Sequence, residues 1–402
     1  MIVNKYKIYR NKKKNKKLNQ LCNSAASIWN HTVLLHRRYY KLFGKTVPKK
    51  RMRQQIAKLR KSNRYWTELN SQTVQEVVDR VYESYDRFFK KISKRPPKTK
   101  KWKDFKSIVF TQSGWKIDGN CFTINKVVSV KFSKSSEYYD IKNIRIKRDS
   151  VGDWYILILS SQSLNKKQYI KSHKGASVGF DFSLPKFLIG SDGFEYNSPL
   201  FYYEHQNEIK KLNKQLSSKK KGSKNRQKAK NKLSKAHRDL TFKRENHHWN
   251  LAHDLCRKYD FIAIEDLNIE GMKKLWGKKV SDLSFSSFVL KLEYVSTKYG
   301  TVIHKIDRWY ASSKTCGDCG TKNTKLKLSD REWVCESCGS VHNRDENASQ
   351  NILRQGIVEY KSKCKTDLSA TYDDGKESPH FSGESMPIQA IEDEYEFQHN
   401  LS

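Results

Sequence analysis

The sequence predicts an α+β multidomain protein, and three observations carry that prediction. Apolar residues recur at helical spacing over about 11–95, then alternate with a period of two over about 105–172. Beyond residue 172, strand-like and helix-like segments follow one another, and two closely spaced cysteine pairs interrupt them. A chain of 402 residues has room for two or three domains.

The N-terminal part predicts a short strand followed by a helical module. Residues 3–9 alternate weakly, as in a strand, and residues 18–42 have the apolar spacing of a helix. A second helix is predicted from Thr73, where Thr73 and Glu76 have the spacing of a capping box, and Pro96-Pro97 ends it. Its apolar stripe consists of Val74, Val77, Val78, Val81, Tyr82, Tyr85, Phe88 and Phe89.

The region with a period of two predicts a small antiparallel barrel or sheet. Its strand-like runs are 127–132, 144–147 and 154–159, and turn signals lie at 118–120 and 152–153. The strand at 3–9 is compatible with this sheet.

A new domain is predicted from Ser172. Three short antiparallel strands are expected at 178–182, 187–189 and 194–196, followed by basic helices over 202–258 with a break near Gly222-Ser223. The run from Lys219 to Arg226 is either a solvated loop or a phosphate contact. Strands are expected at 261–267 and 301–306, with a helix over 286–299 between them.

The net charge of +38 points to a polyanionic partner. Residues 361–402 have four Lys and nine acidic residues, so residues 1–360 carry +43 and the acidic segment is expected to be a disordered tail. Solubility alone needs a net charge of only about 2–8 on a small domain. No apolar run approaches the ~20 residues that span a bilayer, and the N-terminus is too charged for a signal peptide. Because 21 Tyr, 18 Phe and 9 Trp accompany the cations and could stack on bases, nucleic acid is the favoured partner.

The cysteines predict one structural metal site. Cys316-x-x-Cys319 and Cys335-x-x-Cys338 each precede a glycine, and four thiolates in a tetrahedron suit one Zn²⁺ ion, with iron as the alternative. A site closed by four sulfurs leaves no position for substrate, so this zinc is expected to be structural. The other four cysteines, Cys22, Cys121, Cys256 and Cys364, are scattered, which fits a reducing cytoplasm better than a disulfide framework.

Three acidic residues predict a second metal site. Asp181 and Glu265 lie in or at the end of apolar strands, and Asp345 begins a predicted helix over 345–354. Each has an alternative explanation, since Asp345 could be an N-cap and Glu265 could pair with a lysine. Together they could hold two Mg²⁺ ions about 3.5–4 Å apart, as in hydrolysis of a phosphodiester.

The motifs around these residues resemble those of the TnpB family, the transposon-associated RNA-guided nucleases to which the type V CRISPR effectors are related. The resemblance is strong over about 172–357 and mainly one of layout over 1–171. The matching segments are Gly179-Phe180-Asp181-Phe182-Ser183-Leu184, Ile264 to Met272, Ser312-Ser313-Lys314-Thr315-Cys316 and His342-Asn343-Arg344-Asp345-Glu346-Asn347-Ala348. Two positions depart from the family pattern, Ser183 where glycine is common and Asn343 where aspartate is frequent, and neither removes an acidic residue of the triad.

The resemblance implies an RNase H-like (RuvC) α/β nuclease core with an inserted zinc ribbon. The expected domains are a wedge-like β-barrel (1–10 and 105–171), a helical recognition module (11–104), the nuclease domain (172–310 and 341–360), the zinc-binding module (311–340) and the acidic tail (361–402). Asp181, Glu265 and Asp345 correspond to the catalytic Mg²⁺ ligands, and Cys316, Cys319, Cys335 and Cys338 correspond to the zinc ligands. Arg344 and Asn347 are weaker candidates for contacts to the scissile phosphate.

The resemblance also implies the partners. These are a guide RNA derived from the transposon end and double-stranded target DNA, with a monomeric protein in the ribonucleoprotein and no membrane. Base pairing would provide the sequence specificity, while the protein would read a short motif beside the target. The expected location is the prokaryotic cytoplasm, in association with the nucleoid through DNA.

Three other functions remain open at this stage. A catalytically silent RNA-guided repressor would be expected to lack an acidic residue, and all three are present. An RNA-independent transposase or resolvase would cut with the same chemistry but without RNA. A zinc-ribbon transcription factor would leave Asp181 and Glu265 unexplained.

Overall fold

The computed structural model describes residues 2–124, 127–135, 139–161, 175–327 and 330–370. These residues belong to two compact units, one within 1–164 and one within 165–383. The expected domain boundary near 171–172 and the tail residues 371–402 lie outside the described residues. Among the helices of the described ranges, none is long and apolar enough to cross a membrane.

The first unit combines three helices with seven strands in two antiparallel sheets. One sheet has the order β1-β7-β6-β2 and the other the order β3-β4-β5. The elements are β1 (Ile2–Lys7), α1 (Lys12–Phe43), α2 (Lys49–Ser62), α3 (Ser71–Phe89), β2 (Ser107–Phe110), β3 (Trp115–Asp118), β4 (Cys121–Ile124), β5 (Val128–Lys131), β6 (Tyr139–Arg148) and β7 (Trp154–Ser161).

Helices and sheets of this unit share one hydrophobic core. Leu21 and Ile28 of α1 are fully buried in it, together with Val77 of α3, Phe122 of β4 and Ile156 of β7. The N-terminal strand β1 pairs along its length with β7, as the sequence allowed. The closed barrel and the boundary at 104–105 stay predictions.

The start of α3 differs from the expected capping box. The side chain of Asn70 accepts a hydrogen bond from the backbone N–H of Thr73 at 2.7 Å, so Asn70 is the N-cap and Thr73 lies inside the first turn. The prediction that Thr73 caps the helix is therefore wrong by one turn. Asparagine caps helices as well as threonine does, because its side-chain oxygen reaches the same orphan N–H groups.

The second unit is built around one mixed sheet with the order β10-β9-β8-β11-β12. The first three strands are antiparallel to one another, while β11 is parallel to both β8 and β12. The elements are β8 (Ser177–Phe182), β9 (Leu188–Gly190), β10 (Glu195–Tyr196), α4 (Phe201–Ser217), α5 (Lys224–Lys258), β11 (Phe261–Glu265), α6 (Ile269–Leu283), α7 (Phe285–Tyr299), β12 (Val302–Ile306), β13 (Glu332–Val334), β14 (Val341–Asn343) and α8 (Arg344–Ala370).

Helix α8 packs directly on the middle of this sheet because two glycines leave room for it. A Cβ atom on Gly179 of β8 would stand 2.5 Å from the backbone nitrogen of Leu353 in α8. On the helix side, a Cβ atom on Gly356 would stand 2.6 Å from the Cβ of Ala263 in β11. Both distances are shorter than a real Cβ atom shows to any neighbour, so the glycines set the distance between helix and sheet.

The C-terminal helix is longer than the sequence suggested. The periodicity predicted a helix over 345–354, whereas α8 continues to Ala370 and so runs into the segment 361–402 that was expected to be disordered. The helix at the start of this segment is an extension of the part of α8 that packs on the sheet. The polar composition of the segment predicted disorder because it does not reveal that the preceding residues are already helical.

We expect Gly179→Ala to destabilise the second unit, because the added methyl group must displace the backbone of α8. Overpacking of this kind costs about 1–3 kcal/mol, and a backbone obstacle belongs at the upper end. Urea denaturation followed by circular dichroism measures the loss. The matched control is Gly277→Ala in α6, where a Cβ would meet nothing within 4 Å. Equal unfolding midpoints for the two variants would show that α8 does not need the glycine.

Candidate active site and cysteine cluster

Asp181 and Glu265 lie side by side at the carboxyl ends of two parallel strands. Phe180 of β8 pairs with Ile264 of β11, so the next residue in each strand occupies the same level of the sheet. Side chains alternate between the two faces of a sheet, and both carboxylates therefore project from one face. Gly179, two residues before Asp181, contacts α8, so this is the face that α8 covers.

Asp345 is added to this face by the first turn of α8. The backbone N–H groups of Asp345 and Glu346 donate to the side-chain oxygen of Asn343 at 3.1 and 3.3 Å. Asn343 therefore caps the helix, and the alternative in which Asp345 is the N-cap is wrong. The carboxylate of Asp345 instead pairs with the guanidinium of Arg331 at 3.2 Å.

The electrostatics of the site show that the charges of the other two carboxylates act on Asp181. Burial and, after it, the charges of Glu265 and Asp345 raise the pKa of Asp181 to about 8, while the charge of Arg344 opposes the shift. Burial also raises the pKa of Glu265, and a hydrogen bond from Ser312 opposes that shift. A half-buried group of like charges is costly unless cations neutralise it.

The three carboxylates share one face without forming a single tight cluster. Among the described residues, the groups of potential metal ligands whose atoms all lie within 4.8 Å of one another contain cysteines and do not contain this triad. Glu265 accepts a short hydrogen bond from the hydroxyl of Ser312, and Asp345 has its ion pair with Arg331. The structure therefore places the predicted residues at one site but gives two of them separate protein partners.

Ser312 and Arg331 are site residues whose roles the sequence did not reveal. Ser312 begins a short 3-10 turn, Ser312–Lys314, that follows β12, and it is 47 residues from Glu265 in the chain. Arg331 precedes the hairpin formed by β13 and β14. The signal for Ser312 was its place in the family-like segment Ser312-Ser313-Lys314-Thr315-Cys316. No local pattern links an arginine to an acid across a hairpin, so Arg331 had no such signal.

Two buried asparagines of α8 tie the helix to the loop that carries Ser312 and Cys316. The Asn347 amide donates to the carbonyl oxygen of Thr315 and accepts from the N–H of Gly317, both at 2.8 Å. Asn351 donates to the carbonyl oxygens of Ser312 at 2.9 Å and Thr315 at 2.7 Å. Asn347 is only 3% exposed, so the prediction that it contacts the scissile phosphate is wrong. Its amide satisfies backbone groups instead.

Arg344, the other candidate for a phosphate contact, lies close enough to Asp181 for its charge to act on that carboxylate. Its guanidinium lowers the pKa of Asp181, so its charge acts on the carboxylate group. One of its nitrogen atoms lies 3.4 Å from the carbonyl oxygen of Lys327. The side chain is half-buried beside the acids, and its role toward a phosphate stays a prediction.

The four cysteines of the two pairs come together as the spacing predicted. Their sulfur atoms all lie within 4.8 Å of one another, with 3.7 Å between Cys316 and Cys338 and 3.6 Å between Cys319 and Cys335. Each pair is followed by a glycine with a φ of 76°, a left-handed conformation that lets the backbone turn around the sulfurs. Hydrogen bonds from Thr321 lower the pKa of Cys319 to about 6, which favours the thiolate that metals bind.

His342 lies beside this cluster, and the sequence gave no indication of that contact. Its Nε2 atom is 3.0 Å from the sulfur of Cys316, and its ring packs against Trp333 with 4.8 Å between the centroids. His342 belongs to β14, which continues directly into α8. The cysteine cluster and Asp345 are therefore held by adjacent parts of one continuous segment.

Comparisons with known proteins identify the family of this chain. The family model described as "Cas12f1-like, TNB domain" matches residues 285–352, and the one described as "Probable transposase" matches residues 163–275. A Streptomyces pristinaespiralis protein named "Putative RNA-guided DNA endonuclease" is 30% identical over 300 residues, covering 73% of this chain and 73% of its own. The chain belongs to the TnpB family.

Other comparisons cover different shares of the matched proteins. "TnpB-like protein L770" of Acanthamoeba polyphaga mimivirus is 31% identical over 280 residues, and the match spans 64% of this chain but only about half (51%) of the viral one. Among solved structures, the protein of a Cas12f1–sgRNA–target DNA complex matches 85% of this chain and 82% of its own with a TM-score of 0.54. At 16% identity, that likeness establishes a shared mixed α/β fold.

We expect Asn351→Ala to destabilise the attachment of α8, because the carbonyl oxygen of Ser312 loses its side-chain donor and that of Thr315 loses one of two. Leaving buried polar groups unpaired costs about 1–3 kcal/mol. The neighbouring exposed residue Gln350 provides the matched control, since Gln350→Ala removes a side chain that faces solvent. Thermal unfolding of both variants is the measurement, and a Gln350→Ala variant as unstable as Asn351→Ala would contradict the assignment.

Proposed function

We propose that this TnpB-family chain is an RNA-guided DNA endonuclease that hydrolyses phosphodiester bonds with Asp181, Glu265 and Asp345. The observation that carries the proposal is that β8, β11 and α8 bring the three carboxylates to one face of the sheet. There, burial and the negative charges of Glu265 and Asp345 raise the pKa of Asp181. The names of the relatives, which include RNA-guided DNA endonucleases, support the same activity.

The donor set fits magnesium. Three carboxylates offer only hard oxygen ligands, which Mg²⁺ prefers, and the raised pKa of Asp181 is what a site built to receive cations would have before they bind. Asp181, Glu265 and Asp345 would hold two Mg²⁺ ions. Bound there, the ions would lower the pKa of the attacking water and neutralise charge on the leaving 3′ oxygen.

The protein groups around the carboxylates have their own tasks in this mechanism. Ser312 orients Glu265 through its hydroxyl, and Asn351 fixes Ser312 by holding its backbone carbonyl. Arg331 and Arg344 bring positive charge to the edge of the site, where a DNA phosphate would approach. The half-buried position of Asp181 limits access of bulk water.

The cysteine cluster fits a single structural zinc ion. Four sulfurs within 4.8 Å of one another have the composition of a closed tetrahedral site. The glycine that follows each cysteine pair, Gly320 or Gly339, has a left-handed conformation that lets the backbone turn around the sulfurs. Zinc bound by Cys316, Cys319, Cys335 and Cys338 would fix the hairpin of β13 and β14, which leads into α8. The sheet order, three antiparallel strands followed by two parallel ones, supports an RNase H-like (RuvC) core around the carboxylates.

The remaining assignments concern the nucleic acids. A guide RNA would supply sequence specificity by pairing with the target strand, and the surplus of Lys and Arg would hold the backbones of both. The helices and sheets of the first unit are assigned to the guide RNA and to the short motif beside the target.

The test is to purify the chain from cells that carry its native locus, sequence the RNA that accompanies it and assay cleavage of matching DNA in Mg²⁺. We expect cleavage that disappears after RNase treatment. Cleavage that survives RNase would favour an RNA-independent transposase or resolvase. Stable RNA-directed binding without cleavage would favour a repressor.

In the same assay, Asp181→Ala should reduce the cleavage rate by at least about 100-fold and leave DNA binding intact. Loss of a partner that only orients a metal ligand costs 10–100-fold, so loss of a ligand itself costs more. Asp254→Ala is the matched control, because Asp254 is an exposed acid on α5 that pairs with Arg257 at the surface. Undiminished cutting by Asp181→Ala would remove this residue from the mechanism.

For the cysteine cluster, we expect Cys335→Ser to lose zinc and to become poorly soluble, because a three-thiolate site holds the metal less tightly and the hairpin depends on it. Metal content per chain by mass spectrometry is the measurement. Cys121→Ser, which removes a half-buried thiol from β4 in the other unit, should keep one zinc per chain. Full zinc content in Cys335→Ser would rule out the site.

A further inference from the structure

A tryptophan stands almost fully exposed beside the carboxylates. Trp309 is 86% exposed, more than any other large apolar side chain in the described ranges. Single exposed apolar residues are common on protein surfaces and need no explanation by themselves. The position and the rigidity of the loop that carries Trp309 set it apart.

The loop that carries Trp309 is attached to Glu265 at both of its ends. Ile306, the last residue of β12, is the register partner of Glu265 in β11. Six residues later, the hydroxyl of Ser312 donates to the carboxylate of Glu265. Trp309 is midway, three residues from each of these contacts. Since three residues span at most about 11 Å, its backbone lies within that distance of both.

Hydrogen bonds hold this loop in one conformation. The N–H of Trp309 donates to the Asp307 side chain at 2.8 Å, and the N–H of Tyr310 donates to the Asp307 carbonyl oxygen at 3.1 Å. Arg308 donates from Nε to the backbone carbonyl of Asp266 at 3.1 Å, which ties the loop to the residue after Glu265. Tyr310 packs against the small core formed by Ala263, Ile306 and Ile352.

Tyr310 packs inward and Arg308 is paired with Asp266, whereas the indole of Trp309 is presented to solvent. A rigid aromatic side chain with its faces free is suited to stacking on a flat ring, because little conformational entropy is lost when it binds. Nucleic-acid bases are such rings, and base–aromatic stacking is the usual way in which proteins hold unpaired nucleotides.

The charges at this edge of the sheet fit the phosphates of the same ligand. The guanidinium of Arg308, next to Trp309, is 44% exposed, and that of Arg331, beside Asp345, is 60% exposed. Each is paired with an acid, so a phosphate would meet exposed guanidinium groups within an edge of mixed charge. Bases in duplex DNA are stacked about 3.4 Å apart and present no free face to a side chain. The ligand must therefore be single-stranded.

We propose that Trp309 is a substrate-positioning residue that stacks on an unpaired base of the single DNA strand, close to the phosphodiester at the carboxylates. The inference rests on the proposed endonuclease function and adds to it a residue that holds the strand in register. It requires no residue of the first unit.

The first test compares Trp309→Ala, Trp309→Leu and Trp309→Phe in the purified ribonucleoprotein. One stacking contact is worth about 1–3 kcal/mol, which corresponds to roughly 5- to 150-fold. We expect Ala and Leu to raise the KM for DNA by a factor in that range, and Phe to stay within about threefold of wild type. Leu keeps the apolar bulk without the flat ring, so it remains informative if Ala does not fold.

The matched control is Phe194→Ala. Phe194 is also an exposed aromatic residue of this unit, at 57%. Its neighbour Glu195 is in register with Ile189 and thereby with Asp181, so by alternation Phe194 belongs to the opposite face of the sheet. Its loss should leave KM unchanged. If Trp309→Leu and Phe194→Ala have the same KM as wild type, the stacking assignment is wrong.

The second test does not depend on cleavage. In the Asp181→Ala background, DNA strands that carry 2-aminopurine at successive positions should show quenched fluorescence at a position flanking the cut site. The quenching should disappear when Trp309→Leu is added and persist when Phe194→Ala is added. Quenching that is unaffected by Trp309→Leu would overturn the proposal. A wild-type protein that cuts no DNA would instead refute the proposed function, while the quenching scan would still decide the stacking.

Discussion

The direct contact between helix α8 and strand β8 is the constraint on which the candidate site depends. Because Gly179 has no side chain, the backbone around Leu353 can approach the strand closely; any other residue at position 179 would keep it further away. This sets the height of α8 above the sheet, and with it the position of Asp345 one turn before Ser349. Asp181 lies two residues beyond Gly179 on the same face, so one backbone contact fixes the distance between two of the acids.

The same contact brings acidic groups together at an energetic cost. Folding alone would favour a neutral residue at position 181, since burial and two neighbouring carboxylates raise the pKa of Asp181 to about 8. The protein offsets part of this cost with Ser312 on Glu265 and Arg331 on Asp345. Arg331 is mostly exposed and such pairs contribute little, so the arrangement is better explained by what it binds than by the stability it adds.

The parts of the site that were predictable are those with a local pattern. Asp181 and Glu265 were identified because an acid in an apolar strand is unusual, and the cysteine cluster was identified because its spacing is specific. Ser312, Arg331 and His342 contact residues 47, 14 and 26 positions away, and their positions depend on strand pairing that no local pattern encodes. Asn347 was misread because an asparagine beside an acid can bind phosphate or backbone, and only the fold decides which.

The same distinction holds for the elements of the fold. The long helices α1 and α3 and the strands β7, β8 and β11 were predicted, since each has a sustained apolar pattern. Helix α2 was missed because only Met52 and Ile56 are buried along it. Helix α6 was missed because it is kinked at Trp276, whose φ of −127° breaks the helical period. The four-residue strands β2, β3 and β4 are too short to show a period of their own.

The cysteine cluster and the carboxylates are connected through the start of α8. The hydrophobic core of the ribbon consists of Cys316, Leu326, Trp333 and Cys335, which is too small to offset the backbone entropy of ordering the segment. A metal bound by the four sulfurs would supply the missing free energy, as in other small domains that fold on their metal. β14 continues into α8 without an intervening residue. A metal that orders the hairpin of β13 and β14 would therefore also order the helix turn that carries Asp345. Asn347 and Asn351, in the first two turns of α8, connect the helix to the Cys316 loop a second time. A metal that does no chemistry would therefore still determine whether the third acid is in place.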